Sequence, residues 1–314
     1  MPTLPALRIL FRIQRRSATI EGNSGGWKAK FWMPINILCI GDLVGRPGRN
    51  VIADHLPDLI NQRNIEFVVC NAENAAGGSG MTPQIFTKLL KYGVDCVTLG
   101  DHVYRKKEVL GLLQNSNQIV RPANLSHAAT GRTWTVVDSK SGMYRIAVTC
   151  ALGQMYMGAN DSPWSAIDSV MAAIPADVKI RVVDFHAEAS SEKIAMGWHL
   201  NGRASVVFGT HTHIPTADAR VLDGGTAHIS DVGMTGPYEG VLGRRKDRVL
   251  TALTTSMPTH FEIARGDPRL CGVLVSVDPA TGRALAIERI EVHGEVHEGG
   301  AYDADDGWAG KGNG

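Results

Sequence analysis

Short apolar runs alternate with helix-length segments in this 314-residue chain, and this alternation restricts its fold more than any other feature. Ile35–Ile40 stops at Gly41, and Gly48–Gln62 then sets Val51, Ile52, His55, Leu56, Leu59 and Ile60 at helical spacing, interrupted by Pro57. Phe67–Cys70 is the next run, followed by the loop Asn71–Gly80. Thr82-Pro83 supplies an N-cap with proline at the first helical position, predicting a helix to about Tyr92. Val94–Leu99 predicts a third strand and Arg105–Gln114 a third helix. Such spacing is that of βαβ units around a buried, mostly parallel sheet.

The later chain has a different rhythm. Thr133–Asp138 and Tyr144–Cys150 flank the turn Ser139–Gly142 and predict a hairpin. Ile180–Phe185 and Val206–Gly209 bracket a helix near Glu188–Leu200, and Ala219–Leu222, Thr226–Ile229, Val273–Val277 and Leu285–Ile290 read as further strands. Ten or eleven strands are many for one simple sheet, so the α/β class with two packed sheets and helices outside is expected. No repeat or Ser/Gly linker divides the core, which is read as one domain over residues 33–296.

Composition enters as a filter. No apolar run approaches the ~18–20 residues of a membrane-spanning helix, so no membrane association of the core is expected. The formal charge of +1 argues against a chain built mainly to bind nucleic acid, yet it averages two unlike segments. Residues 1–32 carry six basic groups and one acid, leaving 26 basic and 30 acidic groups, a net −4, in the remainder. The basic segment lacks a signal-peptide core. It reads as an upstream extension before a natural start at Met33, or as a disordered arm, with an organelle-targeting or membrane-surface role as the alternative. The Gly-rich stretch 297–314 reads as a disordered tail. Cys39, Cys70, Cys96, Cys150 and Cys271 all lie in or beside apolar runs without a CxxC, which suits buried thiols in a reducing cytoplasm.

Polar groups gather where the runs end. Asp42 follows the first, Glu73 and Asn74 the second, Asp101 and His102 the third, His186 the strand from Ile180, and His211 and His213 the strand from Val206. That edge of an open α/β sheet is where ligands bind. Singly, each group has an ordinary reading: Asp as a turn former, Glu73 as a solvated loop residue, a lone histidine as a satisfied core or surface group. The Thr-separated pair His211 and His213 can point the same way on a strand end. Together, imidazoles and carboxylates without thiolates suit Fe, Mn or Zn, and the oxygen donors are too many for one ion. Two ions ~3.5–4 Å apart clamp a phosphate and turn a bridging water into a hydroxide for in-line attack. The leaving oxygen then needs a proton, for which His102 is suited unless it merely bonds a neighbour.

The ordered motifs GDLVGRPGR, NAENAAGG, TLGDH, RPAN, DFHAEASSEK, GTHTHIPTAD and MTGPYEG closely resemble those of the YmdB-like family of calcineurin-type metallophosphoesterases, from about Ile35 to Ile290. The resemblance implies a four-layer α/β/β/α sandwich of two packed mixed sheets. It also implies a phosphoric diester hydrolase acting on small phosphodiesters such as 2′,3′-cyclic nucleotides. Carried over by residue, Asp42, His213 and Asn74 hold one ion, Asp101, His186 and His211 the other, Glu73 bridges, and His102 is the general acid.

One position departs from the family pattern, which has Asn before the catalytic histidine where this chain has Asp101. A carboxylate keeps an oxygen donor but adds charge, which tightens a cation and opposes an approaching phosphate. A phosphomonoesterase or RNase on the same centre, and a catalytically weakened regulatory metal- or nucleotide-binding protein, are the alternatives. Gly77, Gly78, Thr235 and Gly236 are weaker candidates for substrate contacts, each with a plain turn or loop as its ordinary reading. His55, His127, His199, His228, His260, His293 and His297 have no partners in sequence. The core lacks an extended basic tract, so RNA ends as substrate would rely on the ions and local loops. A homo-oligomer stays open.

Overall fold

The computed structural model describes residues 33–297. The expectations for residues 1–32, and for 297–314 beyond His297, lie outside the described residues.

In chain order the elements are β1 (Ile35–Ile40), α1 (Gly45–Gln62), β2 (Ile65–Asn71), α2 (Pro83–Lys91), β3 (Cys96–Thr98), α3 (Val109–Asn115), β4 (Ile119–Val120), β5 (Trp134–Asp138) and β6 (Arg145–Leu152). Then come α4 (Pro163–Ala173), β7 (Ile180–His186), α5 (Ser190–His199), β8 (Val206–Thr210), β9 (Arg220–Val221), β10 (Ala227–Ile229), β11 (Gly236–Pro237), α6 (Lys246–Thr255), β12 (Pro268–Val277) and β13 (Ala284–His293). One sheet runs β11-β12-β1-β2-β3-β4 with β13 beside β12, and the other runs β5-β6-β7-β8-β10-β9. Strands β1 to β4 are mutually parallel, as are β6, β7, β8 and β10, while β12 and β5 pair antiparallel with their neighbours.

Period-two alternation sorts the side chains into layers. Along β1 and β2, Ile37, Cys39, Phe67 and Val69 face the second sheet and join Val148, Val182, Val206, Phe208 and Val275 in one core. The alternate residues Leu38, Ile40 and Val68 pack instead with Val51, Ile52, Leu56, Ile85 and Leu89 of α1 and α2. On the far side Ala147, Val183 and Phe185 meet Ile167 and Met171 of α4 and Met196 of α5. The fold is therefore an α/β/β/α sandwich of two mixed sheets, each fully buried large apolar side chain contributing roughly 1.5–3 kcal/mol. All five cysteines are buried and free. No helix among the described residues is long and apolar enough to cross a membrane.

Several boundaries differ from the sequence expectation, and thirteen strands stand among the described residues rather than ten or eleven. The third helix starts at Val109, because residues 101–107 fold into turns. Strands β4 and β11 have two residues each, too short for any periodic signal. The α2 start is as expected, with the Thr82 hydroxyl accepting from the Ile85 N–H at 3.4 Å.

Candidate metal centre

The first sheet supplies oxygen. Asp42 follows β1 and is fully buried; its Oδ2 accepts the His211 backbone N–H (2.9 Å), while Oδ1 has no hydrogen-bond partner. Glu73 follows β2, also buried, and its Oε2 accepts the His102 backbone N–H (2.9 Å). Asp101 and His102 follow β3 at the mouth, with 36% and 27% of their side chains exposed. Glycine is required between them and the strand: a Cβ on Gly100 would collide with Glu73 and His186.

The second sheet supplies nitrogen. His186 ends β7 with no exposed surface, its Nε2 3.1 Å from Asp101 Oδ1 and 3.3 Å from Glu73 Oε1. His211 Nδ1 lies 3.0 Å from that same Nε2. One donor atom from each of Glu73, Asp101, His186 and His211 falls within 4.8 Å of the others. A second grouping adjoins it: Asp42 Oδ1 is 3.8 Å from His213 Nε2, and Asn74 Nδ2 is 3.4 Å from the same nitrogen. The seven expected ligands thus come together. Asn74 turns its amide nitrogen to His213 and its oxygen to His102 Nδ1 (2.8 Å), so ligation through oxygen requires a half-turn of the amide.

The two imidazoles of His211-Thr212-His213 do not reach the site by strand alternation. Strand β8 ends at Thr210, and both histidines have left-handed backbones, φ +91° and +64°. Thr212 between them is clamped: its N–H and hydroxyl both bond Asp231 Oδ2 (3.1 and 2.7 Å), and buried Lys193 pairs with that oxygen at 2.7 Å. Breaking such a buried pair from one side costs about 3–5 kcal/mol, which holds a conformation L-residues disfavour.

Each imidazole has one nitrogen turned to the centre and the other engaged. His186 Nδ1 meets Thr210 Oγ1 (2.9 Å), whose hydroxyl bonds buried Asp184 (2.7 Å). His211 Nε2 meets Glu188 (3.1 Å), and His213 Nδ1 meets the Leu242 carbonyl (3.2 Å). Thr98 and Asn71 also bond Asp184, completing a buried polar network (2.5 and 2.9 Å). Outer partners of this kind fix tautomer and ring orientation at metal sites. Asp184, Glu188, Asp231 and Lys193 were not among the sequence candidates; Asp184 and Glu188 flank His186 within the motif DFHAE, which was the available signal.

The buried carboxylates and imidazoles shift one another strongly. Burial pushes the Asp42 carboxyl up to about 7 against the pull of His186, and burial likewise lifts Asp184 to about 6. Burial would raise Glu73 too, but His186 and His102 outweigh it and hold the carboxyl well below its usual range. Burial opposes charge on His186, yet Glu73 and Asp101 hold it well above the ordinary imidazole value. His211 is lowered to about 4 by burial and by His186, and His102 is raised, chiefly by its bond to Glu73. A ligating imidazole must be neutral, so His186 would have to give up any proton on the nitrogen turned to the centre in order to hold a cation. The unpartnered Asp42 Oδ1, buried between two imidazole nitrogens, is the acceptor a divalent ion would satisfy.

The weaker candidates separate. Gly77 is exposed with open space at its Cβ position, whereas Gly78 is covered by Ile263 and Arg244. Thr235 and Gly236 are buried; the Thr235 hydroxyl bonds Cys271, and its backbone bonds Asp42 O and Val44 N–H (2.8 Å each). Both brace the Asp42 loop. Elsewhere His199 pairs with Asp168 (2.9 Å), His297 with Asp54 (2.7 Å), and buried His228 meets the Val207 carbonyl (3.2 Å). Asn124 of RPAN bonds both backbone groups of Leu152 (2.8 and 2.9 Å).

Residues 38–290 match the family described as YmdB-like protein. The chain belongs to the YmdB-like family. Every residue of the cluster, from Asp42 to His213, lies inside the matched range. A 2′,3′-cyclic-nucleotide 2′-phosphodiesterase of Bacillus subtilis (strain 168) is 40% identical over 259 residues, covering 82% of this chain and 97% of that protein. Among solved structures, a hypothetical protein from Thermus thermophilus superposes with a TM-score of 0.77 at 36% identity, covering 82% of this chain and 99% of its own. A Mycoplasma pneumoniae protein described as a novel phosphatase gives 0.78 at 30% identity, with 84% and 95% covered. Both structures share the fold of this YmdB-like chain over most of its length.

Proposed function

We propose that this YmdB-like protein is a dimetal phosphodiesterase that hydrolyses small phosphodiesters such as 2′,3′-cyclic nucleotides. The observation that carries the reading is the convergence of Asp42, Glu73 and Asp101 with three imidazoles, each held in one orientation by its outer nitrogen. The similarity to the Bacillus subtilis 2′,3′-cyclic-nucleotide 2′-phosphodiesterase supports the substrate class. Asp42, Asn74 and His213 would hold one divalent ion, Asp101, His186 and His211 a second, and Glu73 both. Imidazole and carboxylate donors without thiolates fit Fe or Mn, with Zn as the further option. When bound, such ions draw charge from the phosphoryl oxygens and acidify the attacking water.

The remaining work belongs to the chain. His102 Nδ1 lies 2.8 Å from Asn74 Oδ1 and 3.3 Å from Glu73 Oε1, which fixes the ring and leaves Nε2 to deliver a proton to the leaving oxygen. Asp101 Oδ2, 3.7 Å from that Nε2, favours the protonated donor. Its Oδ1 stays beside His186, so the carboxylate that stands in place of the family asparagine still offers an oxygen to the centre. Five buried thiols suit a reducing, cytoplasmic setting.

The test is turnover of a 2′,3′-cyclic nucleotide, the matching monoester and a short RNA by chelator-stripped protein, before and after Mn²⁺, Fe²⁺ or Zn²⁺ is restored. Diester turnover that disappears with the metal and returns with Mn²⁺ or Fe²⁺ is expected. Faster turnover of the monoester would make the protein a phosphomonoesterase, and ligand binding without turnover would make it a regulatory binder.

A further inference from the structure

His102 opens a segment that the metal centre does not use. The chain continues Val103-Tyr104-Arg105-Lys106-Lys107 through turns in which Val103 N–H bonds Gly100 O (3.2 Å) and Arg105 N–H bonds His102 O (3.0 Å). Val103 is buried and pins these turns to the core; Tyr104, Arg105 and Lys107 are exposed. The Tyr104 hydroxyl donates to Thr130 O at 2.6 Å, which ties the segment to the neighbouring loop. The Arg105 and Lys106 stems lie against Gly80, where a Cβ would come within 2.7 Å of Lys106 Cγ and 3.2 Å of Arg105 Cβ. Gly80 N–H in turn bonds the Glu73 carbonyl. Arg105 and Lys106 therefore pack on the loop that carries Glu73, with Lys107 next in the chain.

Among the described residues, Arg105, Lys106 and Lys107 have no ion-pair partner. On the same loop Arg244 bonds only carbonyls, those of Gly78 (2.5 Å) and Phe261 (3.1 Å). The opposite flank is acidic: Glu188, 49% exposed, stands beside His211. Three basic groups thus follow His102 in the chain, between the exposed acids Asp101 and Glu108, while the acid Glu188 stands by His211.

A general acid sits where the leaving group departs. When a 2′,3′-cyclic phosphate is hydrolysed, the P–O bond to one ribose oxygen breaks and its electron pair stays on that oxygen, which takes the proton from His102. Water's oxygen forms the new P–O bond, and the proton it sheds restores His102 through solvent. The leaving oxygen remains on the ribose, which keeps the phosphate through its other oxygen, so the nucleoside lies on the His102 side and in a mononucleotide carries no charge beyond that phosphate. In an oligoribonucleotide it carries a phosphate for every preceding residue. We propose that the preferred substrate is the 2′,3′-cyclic phosphate end of an oligoribonucleotide, whose preceding phosphates lie along Arg105, Lys106 and Lys107. This rests on the phosphodiesterase reading with His102 as acid.

The experiment compares kcat/KM for a five-residue oligoribonucleotide ending in a 2′,3′-cyclic phosphate with that for the 2′,3′-cyclic mononucleotide of the same terminal base. It uses the full-length Mn²⁺-loaded protein and the double variant Arg105→Ala/Lys107→Ala. Three phosphate contacts predict a preference for the oligomer that shrinks about 10- to 20-fold between 50 and 200 mM salt. The double variant should lose most of that preference while turning over the mononucleotide within about twofold of wild type. Equal kcat/KM for both substrates, or a preference that survives the double variant, would overturn the proposal and leave the phosphodiesterase reading intact. Hydrolysis of neither substrate would overturn both.

Discussion

The two sheets meet at the centre with unlike chemistry. The first contributes oxygen donors on loops after parallel strands, Asp42, Glu73 and Asp101, steadied by backbone amides such as those of His211 and His102. The second contributes imidazoles, each steadied from behind, His186 through Thr210 and Asp184, His211 by Glu188, and the pair His211 and His213 through Thr212 and Asp231. The difference follows from the ligands. A carboxylate has two oxygens and can spend one on a backbone N–H, whereas an imidazole must have its tautomer chosen by whatever its second nitrogen meets. The halves should therefore fail differently.

The largest effect is expected from the first sheet. His102→Ala removes the proposed proton donor and should lower kcat roughly 10²–10⁴-fold while bound metal, read by elemental analysis, stays unchanged. A parallel loss of metal would make His102 a ligand and blur the division between the halves. The second sheet should answer in affinity. Thr212→Val breaks the hydroxyl bond to Asp231 and should weaken Mn²⁺ binding about 10–100-fold at both sites by calorimetry, with Thr212→Ser restoring it. Because Thr212 separates a residue of each ion group, loss at one site alone would show that it does not clamp both. The smallest effect is expected at Asp101, where the donor atom survives substitution. Asp101→Asn removes one charge, so it should loosen the metal and lower KM for an anionic diester, each within about tenfold. A change in neither would leave the departure from the family asparagine without functional weight.

Much of the first sheet was legible in the sequence, because βαβ spacing and a polar group after each run are local signals. Ile37 against Leu38 and Phe67 against Val68 sort into different layers by alternation alone. The second sheet was less legible. Asp184 sits inside the apolar run Val182–Phe185 and gives no hint that it braces Thr98, Asn71 and Thr210 from other strands. Asp231 and Lys193 are 38 residues apart, and their pairing exists only after folding. His211 and His213 were found by residue type, but strand alternation was the wrong geometry: left-handed backbone, not a shared strand face, directs them.

The central claim is that oxygen donors from one sheet and imidazoles from the other together hold a pair of ions. Elemental analysis of the chelator-stripped, reconstituted and desalted protein tests it most directly. About two divalent ions per chain are predicted; one ion or fewer per chain would contradict the account.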